Sequence, residues 1–462
     1  MKLGKKAMAV GLAVMMAANL GACGQASKPE EPASQPQKEQ PGAGTTAAGA
    51  ETPETEAMKD AVTIKFMHGM IEEQRQAVIQ GLIDDFAKEY PWITVEQMPT
   101  DSGGDYDTKL TALAGSAEMP AIIEVNQNRA KWLAENELTD FEAVRTVIEG
   151  VPNKYYDAVL KINTSEDGAN YIGVPMGGWV QGIWYNRKAF DEKGLNAPDT
   201  WENIMAAAKA FHDPANKKYG IALPTVDAPF SEQSFSQFAL SNDANALDSE
   251  GNASFNTPEM VEALTFYKEL YQYSIQGSNN TTEVQDAMLN GSVPMGIYST
   301  YILSALIKAG VMDDYGFALV TNKDSASYGS IGMLTITDGM KEEQREAAIL
   351  FVSYLTREEN NIRWLHMAPG GQQPVMEGIA ENEAYLNNEV IQGFAELSPA
   401  ISAAFDSISL FGNVDGKNFM SMGTITSSNV ISKAVYEVTV NGGDPQAVAE
   451  DTQKQIAELI AE

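Results

Sequence analysis

The chain is nearly devoid of cysteine: Cys23 stands alone among 462 residues. No disulfide can close within it, and no thiolate cluster can hold a metal. Histidine is scarce as well. His68, His212 and His366 are far apart and none falls in an H-x-x-x-H spacing, so a zinc enzyme is not expected. Positive charge is in short supply, with 31 Lys+Arg against 63 Asp+Glu and a formal net charge of −32. Charge this negative repels phosphate backbones and anionic headgroups, which argues against nucleic-acid binding. No G-x-S-x-G, phosphate loop or strand-borne G-x-G-x-x-G occurs. Beyond residue 23 no stretch is long and apolar enough to cross a bilayer.

What is present begins with a targeting pattern. Lys2, Lys5 and Lys6 precede a mostly apolar run from Ala7 to Leu20, about 14 residues where a membrane span needs about 20. A basic start, a short apolar stretch and small residues before a break predict a secretory signal peptide over 1–22. Cys23 directly after Leu20-Gly21-Ala22 resembles a bacterial lipobox. That resemblance implies that Cys23 becomes the lipid-modified, palmitate-bearing first residue of the mature protein, at the outer face of the cell membrane. A soluble secreted protein with an incidental cysteine is the plainer alternative. Residues 23–60 are rich in Pro, Glu, Gln, Ala, Gly and Thr, with Pro29, Pro32, Pro36, Pro41 and Pro53 spaced along them. With almost nothing to bury, they predict a disordered tether.

Folding signals begin at Val62, in a chain long enough for two or three domains. Val62 to Met67 alternates as a strand, and Ile71, Val78, Leu82 and Phe86 fall on one helix face. Ile93 and Val95 mark a second strand, Tyr106, Leu110 and Leu113 a helix, and Ala121 to Val125 a third strand. The β-α-β-α-β order predicts an α/β fold with a mainly parallel sheet, whose ligand loops follow the strand carboxyl ends after Met67, Met98 and Val125. Thr200, Thr257-Pro258 and Asp444-Pro445 open predicted helices, Gly329 to Thr337 reads as a strand, and Glu342 to Leu355 as a helix.

Several landmarks occur in one order: Tyr106-Asp-Thr-Lys-Leu110, Met119-Pro120-Ala121, Tyr171-Ile-Gly-Val-Pro175 and Ile183-Trp-Tyr185-Asn186 through Phe190. Gly194-Leu195, Pro198-Asp-Thr200-Trp201, Tyr219-Gly220, Met288-Leu-Asn290-Gly291, Met295-Gly-Ile-Tyr298 and Gly371-Gln-Gln-Pro374 follow. Together they resemble the extracellular solute-binding proteins of ABC importers, in the branch that carries sugars and oligosaccharides. The resemblance runs from about Val62 to the C-terminus. It departs from the family at Met119-Pro120-Ala121, where Pro-Asp is frequent, and after Met295, where tyrosines stand in place of a tryptophan.

The resemblance implies a type II periplasmic-binding-protein-like fold. Each lobe would be a mainly parallel sheet flanked by helices, with hinge strands between them. The expected N-terminal lobe is 61–175 with 327–358, and the C-terminal lobe 176–326 with 359–462. It further implies a monomer that closes on a carbohydrate and docks on permease subunits, with no catalysis, cofactor or metal.

Sugars present C–H faces and a rim of hydroxyls, so their sites need aromatic planes with amide and carboxylate groups. The candidates are residues of those types in the expected cleft loops: Trp179 after Gly177-Gly178; Asn126, Gln127 and Asn128; and Tyr298 and Tyr301. His68 with Met70, Asp101 with Ser102 and Asp105, Tyr106, and Trp364, Gln372 and Gln373 complete the set. Each has a bland counterpart in hinge packing, helix capping or core. Trp92, Trp132, Trp184 and Trp201 are expected in the core. Asp248 to Glu259 has oxygens at calcium-loop positions, but Ala253 stands where glycine is required, so a surface turn is expected. Two other functions are weighed: a binder of an anionic ligand such as a glycerol phosphodiester, using Arg129, Arg187 or Arg363, and a lipid-anchored glycoside hydrolase, for which no carboxylate pair stands out.

Overall fold

The computed structural model describes residues 60–461, apart from 102, 103 and 117. The expected signal peptide and all but the last residue of the expected tether lie outside the described residues.

The first strand, β1 (Val62–His68), turns Ile64 and Phe66 inward and Thr63 and Lys65 outward, the period-2 alternation of a pleated strand. Next come α1 (Glu73–Glu89), β2 (Ile93–Pro99), α2 (Gly104–Ser116), β3 (Ile122–Asn126) and α3 (Gln127–Glu135). Both β2 and β3 pair parallel with β1, as the β-α-β-α-β reading predicts. Ile71 departs from that reading: it precedes α1 and is 46% exposed, because the chain leaves β1 through a loop before the helix begins.

The remaining strands are β4 (Val174–Asn186), β5 (Met295–Ser299), β6 (Tyr315–Ala318), β7 (Val320–Thr321), β8 (Ser325–Ala326) and β9 (Gly329–Ile336). The main sheet runs β2-β1-β3-β9-β4-β5, with β6 also on β4. Parallel pairing holds in β2-β1-β3. The ladders built on β4 and β9 are antiparallel, because the two strands cross the middle of the molecule in opposite directions. Residues 174–180 of β4 pair with β9, and its far half pairs with β5 and β6. One 13-residue strand thus belongs to both halves of the sheet.

At this crossing backbone approaches backbone closely. A Cβ on Gly178 would lie 2.7 Å from the Ser330 carbonyl oxygen and 2.8 Å from the Phe405 ring. Gly178 also exchanges hydrogen bonds with Gln373, its N–H donating to the Gln373 carbonyl (3.1 Å) and its carbonyl accepting from the Gln373 N–H (2.7 Å).

Two apolar clusters form around this frame. One gathers Phe66, Phe86, Ile122, Phe351 and Trp364; the other Trp201, Phe235, Phe238, Tyr267 and Ile431. Burying each such side chain contributes about 1.5–3 kcal/mol. Around the second cluster pack the helices Pro229–Ser241, Pro258–Tyr271, Val430–Thr439 and Pro445–Leu459. Thr200, Thr257 and Asp444 cap their helices through side-chain oxygens. The helix Glu358–Leu365 packs instead on α1 and the helix Glu342–Leu355, with Arg363 3.0 Å from Asp85. No helix among the described residues is long and apolar enough to cross a membrane.

Candidate functional site

The helix Phe419–Ser427 faces α3 on one side and the start of the helix Pro229–Ser241 on the other. Between them lie two adjoining cavities. The larger, about 500 Å³, is lined by Asn126, Asn128, Arg129 and Trp132 against Phe419 and Met420. The second, about 330 Å³, is lined by Asn128, Glu232, Gln233, Tyr328, Phe419 and Thr426, among others. Asn128 and Phe419 belong to both walls.

Local sequence explains how these groups are presented. Asn126 ends β3 and caps α3, its side-chain oxygen accepting from the Arg129 N–H at 3.0 Å. That leaves Asn128 and Arg129 on the first exposed turn, at a strand carboxyl end where α/β folds place ligands. The Arg129 guanidinium sits 4.5 Å above the Tyr106 ring. On the opposite wall Pro229 sets the first turn of its helix, which brings Glu232 and Gln233 to the cavity. Tyr328 precedes β9, and its ring centroid is 5.7 Å from that of Trp179 on β4.

Phe419 is fixed from the α3 side. The Lys131 ammonium, almost fully buried, donates to the Gly416 carbonyl at 2.8 Å and lies 5.1 Å from the Phe419 ring. Glu166 accepts from the Asn418 and Phe419 N–H groups, placing a carboxylate at the positive end of that helix.

Glu232 is the unusual member. It is 6% exposed; its Oε1 accepts from the Thr426 hydroxyl at 2.6 Å, and its Oε2 has no partner. Burial pushes its carboxyl up to about 7, the Thr426 bond pulling weakly the other way. The Tyr328 hydroxyl is raised well above its ordinary range, by burial first and by Glu232 second.

Of the residues singled out from sequence, Asn126, Asn128 and Arg129 reach the cavities. Trp132, expected in the core, is half-buried and lines the larger one. Trp179 is half-buried and stands behind Tyr328. Tyr301 and Gln372 come together elsewhere, the Gln372 amide donating to the Tyr301 hydroxyl at 3.4 Å; Tyr301 is 47% exposed. Asp101 is exposed at the end of β2, and Asp105 lies in the first turn of α2. Ser102 lies outside the described residues. Glu232, Gln233, Tyr328 and Phe419 carried no motif in the sequence.

The others are buried structural groups. His68 Nδ1 accepts from the Met70 N–H and Nε2 meets Gln97 at 3.2 Å, a neutral ring whose pKa burial lowers. Gln127 ties α3 to β9, its oxygen accepting from the Ile331 N–H at 2.9 Å and the Ser330 hydroxyl at 3.0 Å. Tyr106 donates to the Glu124 carbonyl, and Trp364 packs near Phe66. Tyr298 bonds Gln285 at 3.3 Å. The Gln373 amide donates to the Gly370 carbonyl at 2.7 Å. Each of these aromatic, amide and imidazole groups is taken up by the core or the crossing. Asp248 accepts from the Glu250 and Asn252 N–H groups in an exposed turn, as the calcium-loop mismatch predicted.

A family model described as bacterial extracellular solute-binding protein matches residues 72–362. A protein of Escherichia coli (strain K12), named as the ABC transporter periplasmic-binding protein YcjN, is 44% identical over 406 residues, 88% of this chain and 94% of that one. Two solved structures share the fold at lower identity. The cyclic alpha-maltosyl-1,6-maltose binding protein from Arthrobacter globiformis aligns at TM-score 0.71 and 17% identity, over 87% of this chain and 99% of its own. The sugar-binding protein MalE of Xanthomonas citri aligns at TM-score 0.70 and 18% identity, over 87% and 98%.

Proposed function

The chain belongs to the bacterial extracellular solute-binding proteins, and from that premise we propose that it captures a carbohydrate outside the cell and hands it to the permease of an ABC importer. The observation that carries this reading is the pair of adjoining cavities, whose walls combine the amide residues Asn128 and Gln233 with the aromatic residues Tyr328 and Phe419. Amides offer paired donors and acceptors to sugar hydroxyls, and rings cover C–H faces. Sugar-binding solved structures of the same fold support it.

In this reading the walls on α3 and on the helices Pro229–Ser241 and Phe419–Ser427 are the two halves of the ligand site, and closure about the β4–β9 crossing would bring them together. The helix Glu358–Leu365 packs with α1, so in this reading the C-terminal lobe would resume after residue 365 rather than at 359. Lipid attachment at Cys23, after signal cleavage and with the tether, would hold a monomer at the outer face of the membrane. Catalysis is no part of this reading.

A thermal-shift screen of the full chain in detergent, against mono- and oligosaccharides, sugar phosphates and peptides, tests it. A ligand present at 100 times its Kd adds about 2.7 kcal/mol to stability, seen as a rise of a few degrees. Silence toward sugars with a response to phosphates would favour the anionic alternative. For that, Arg129 is the arginine on the cavity wall; Arg187 donates to the Asp313 carbonyl and Arg363 pairs with Asp85. Hydrolysis of an oligosaccharide, followed by chromatography, would overturn the binding reading in favour of an enzyme.

A further inference from the structure

Glu232 lines the second cavity together with Asn128 and Tyr328, and its Oε2 is buried with no partner. A buried acceptor without a donor is costly to keep, more so when charged. Its other oxygen is already satisfied by Thr426, so whatever fills the cavity is the remaining source of a donor. A sugar hydroxyl is a neutral donor of that kind, and it bonds more strongly to a carboxylate than to a carboxylic acid.

From this geometry, and resting on the carbohydrate-capture reading, we infer that Glu232 is a ligand-contacting residue that makes capture proton-linked: a sugar hydroxyl donates to Oε2, and the carboxyl gives up its proton to solvent as it does so. Proton balance is simple. The acid form loses one H⁺ to buffer, the O–H bond of the sugar stays intact, and no bond to carbon changes.

The surroundings leave Glu232 as the group that titrates. Tyr328, the titratable residue facing it from the strand side, is neutral in this range. No lysine, arginine or second carboxylate contributes to the Glu232 shift. The helix Phe419–Ser427 has no charged residue. Lys433, on the helix Val430–Thr439, is engaged with the Ser428 carbonyl, and Glu262, on Pro258–Tyr271, with Asn242. Arg129 faces the neighbouring cavity.

The sign follows from which form binds. With a free carboxyl near 7, a sugar that selects the carboxylate sees about 3% of the protein competent at pH 5.5, so its Kd there is roughly 30-fold weaker than at pH 8. The test is calorimetry of the full chain in detergent with maltose, maltotriose, D-tagatose and ribitol at both pH values, repeated with Glu232→Gln. The expected result is a Kd that weakens severalfold or more on acidification for each probe that binds, with the pH effect absent in Glu232→Gln. If Glu232→Gln does not fold, titrations of the unaltered protein at pH 6.5 in phosphate and in imidazole, two buffers of different ionisation heat, read the released proton directly, as a difference in heat. Sugar binding with the same Kd at both pH values, or proton uptake in place of release, overturns the inference and leaves carbohydrate capture standing. Absence of binding by all four probes at both pH values counts against the capture reading and overturns the inference with it.

Discussion

The rings of Trp179 and Tyr328 meet at 5.7 Å and 44° across the antiparallel seam of β4 and β9. One aromatic thus supports another at the point where the two strands cross, and Tyr328 carries that support to the cavity wall. Loss of the Trp179 ring should loosen Tyr328 and weaken sugar binding. The prediction is that Trp179→Ala raises Kd by about tenfold, the scale of one aromatic contact, with a smaller effect for Trp179→Phe. Calorimetric titration with a sugar found in the thermal-shift screen checks it; an unchanged Kd in Trp179→Ala would remove Trp179 from any role in the site.

Glu232 also makes a prediction that needs no ligand. Its folded-state pKa is raised from 4.5 to about 7 by burial, so the native protein holds this proton where the unfolded chain has released it. Stability from this group is therefore fully present below about pH 4.5 and is lost as pH rises through 7. A shift of that size corresponds to about 3 kcal/mol. Glu232→Gln, which keeps the shape without the ionisation, should be little different from wild type at pH 5 and more stable at pH 8, by a few degrees in Tm. Scanning calorimetry at the two pH values reads the difference directly, and identical gaps at both would show that the carboxyl is not held neutral.

How much of this was visible in the sequence depends on the length scale of the signal. The alternation through Val62–Met67 and the spacing of Val78, Leu82 and Phe86 are local, and they placed the first strands and helix well. Thr200, Thr257 and Asp444 act on N–H groups three residues away, so their caps were legible too. The cavity walls were not, because they join α3 to residues nearly three hundred positions later. Asn126 and Asn128 were legible as cavity-lining residues because they stand at a strand carboxyl end. Glu232 and Phe419 lie inside helices, on faces decided by tertiary packing. His68 and Trp364 had the right chemistry for a site, yet a single sequence does not reveal which polar or aromatic side chains the core has already used.

Gly178 is held by crowding, not by an unusual backbone angle. Any Cβ there would press on the Ser330 carbonyl and the Phe405 ring at 2.7 and 2.8 Å, both fixed by β9 and the core. Gly178→Ala should separate the strands locally and cost about 1–3 kcal/mol, the range for overpacking. Chemical denaturation should show this as a lower midpoint with an unchanged slope. Gly423→Ala is the matched control, because an added Cβ there meets nothing within 4 Å and alanine favours the helix.

Lys131 bears on both folding and binding, because its buried ammonium ties α3 to the Gly416 carbonyl and to the Phe419 ring. Burial lowers its pKa, with Glu166 and Glu135 acting in the opposite sense. Lys131→Met preserves the aliphatic stem but leaves the Gly416 carbonyl without its donor, which should cost about 1–3 kcal/mol. Since Phe419 borders both cavities, the same change should weaken sugar affinity as well as lower Tm. Glu166→Gln separates the two effects. It keeps one acceptor oxygen for the Asn418 or the Phe419 N–H group, leaves the other facing an amide, and removes the charge at the helix end, a loss of about 1–3 kcal/mol. Affinity that falls in Lys131→Met but holds in Glu166→Gln would place the lysine's effect in the position of the Phe419 ring, whereas equal losses would place it in the stability of the helix as a whole.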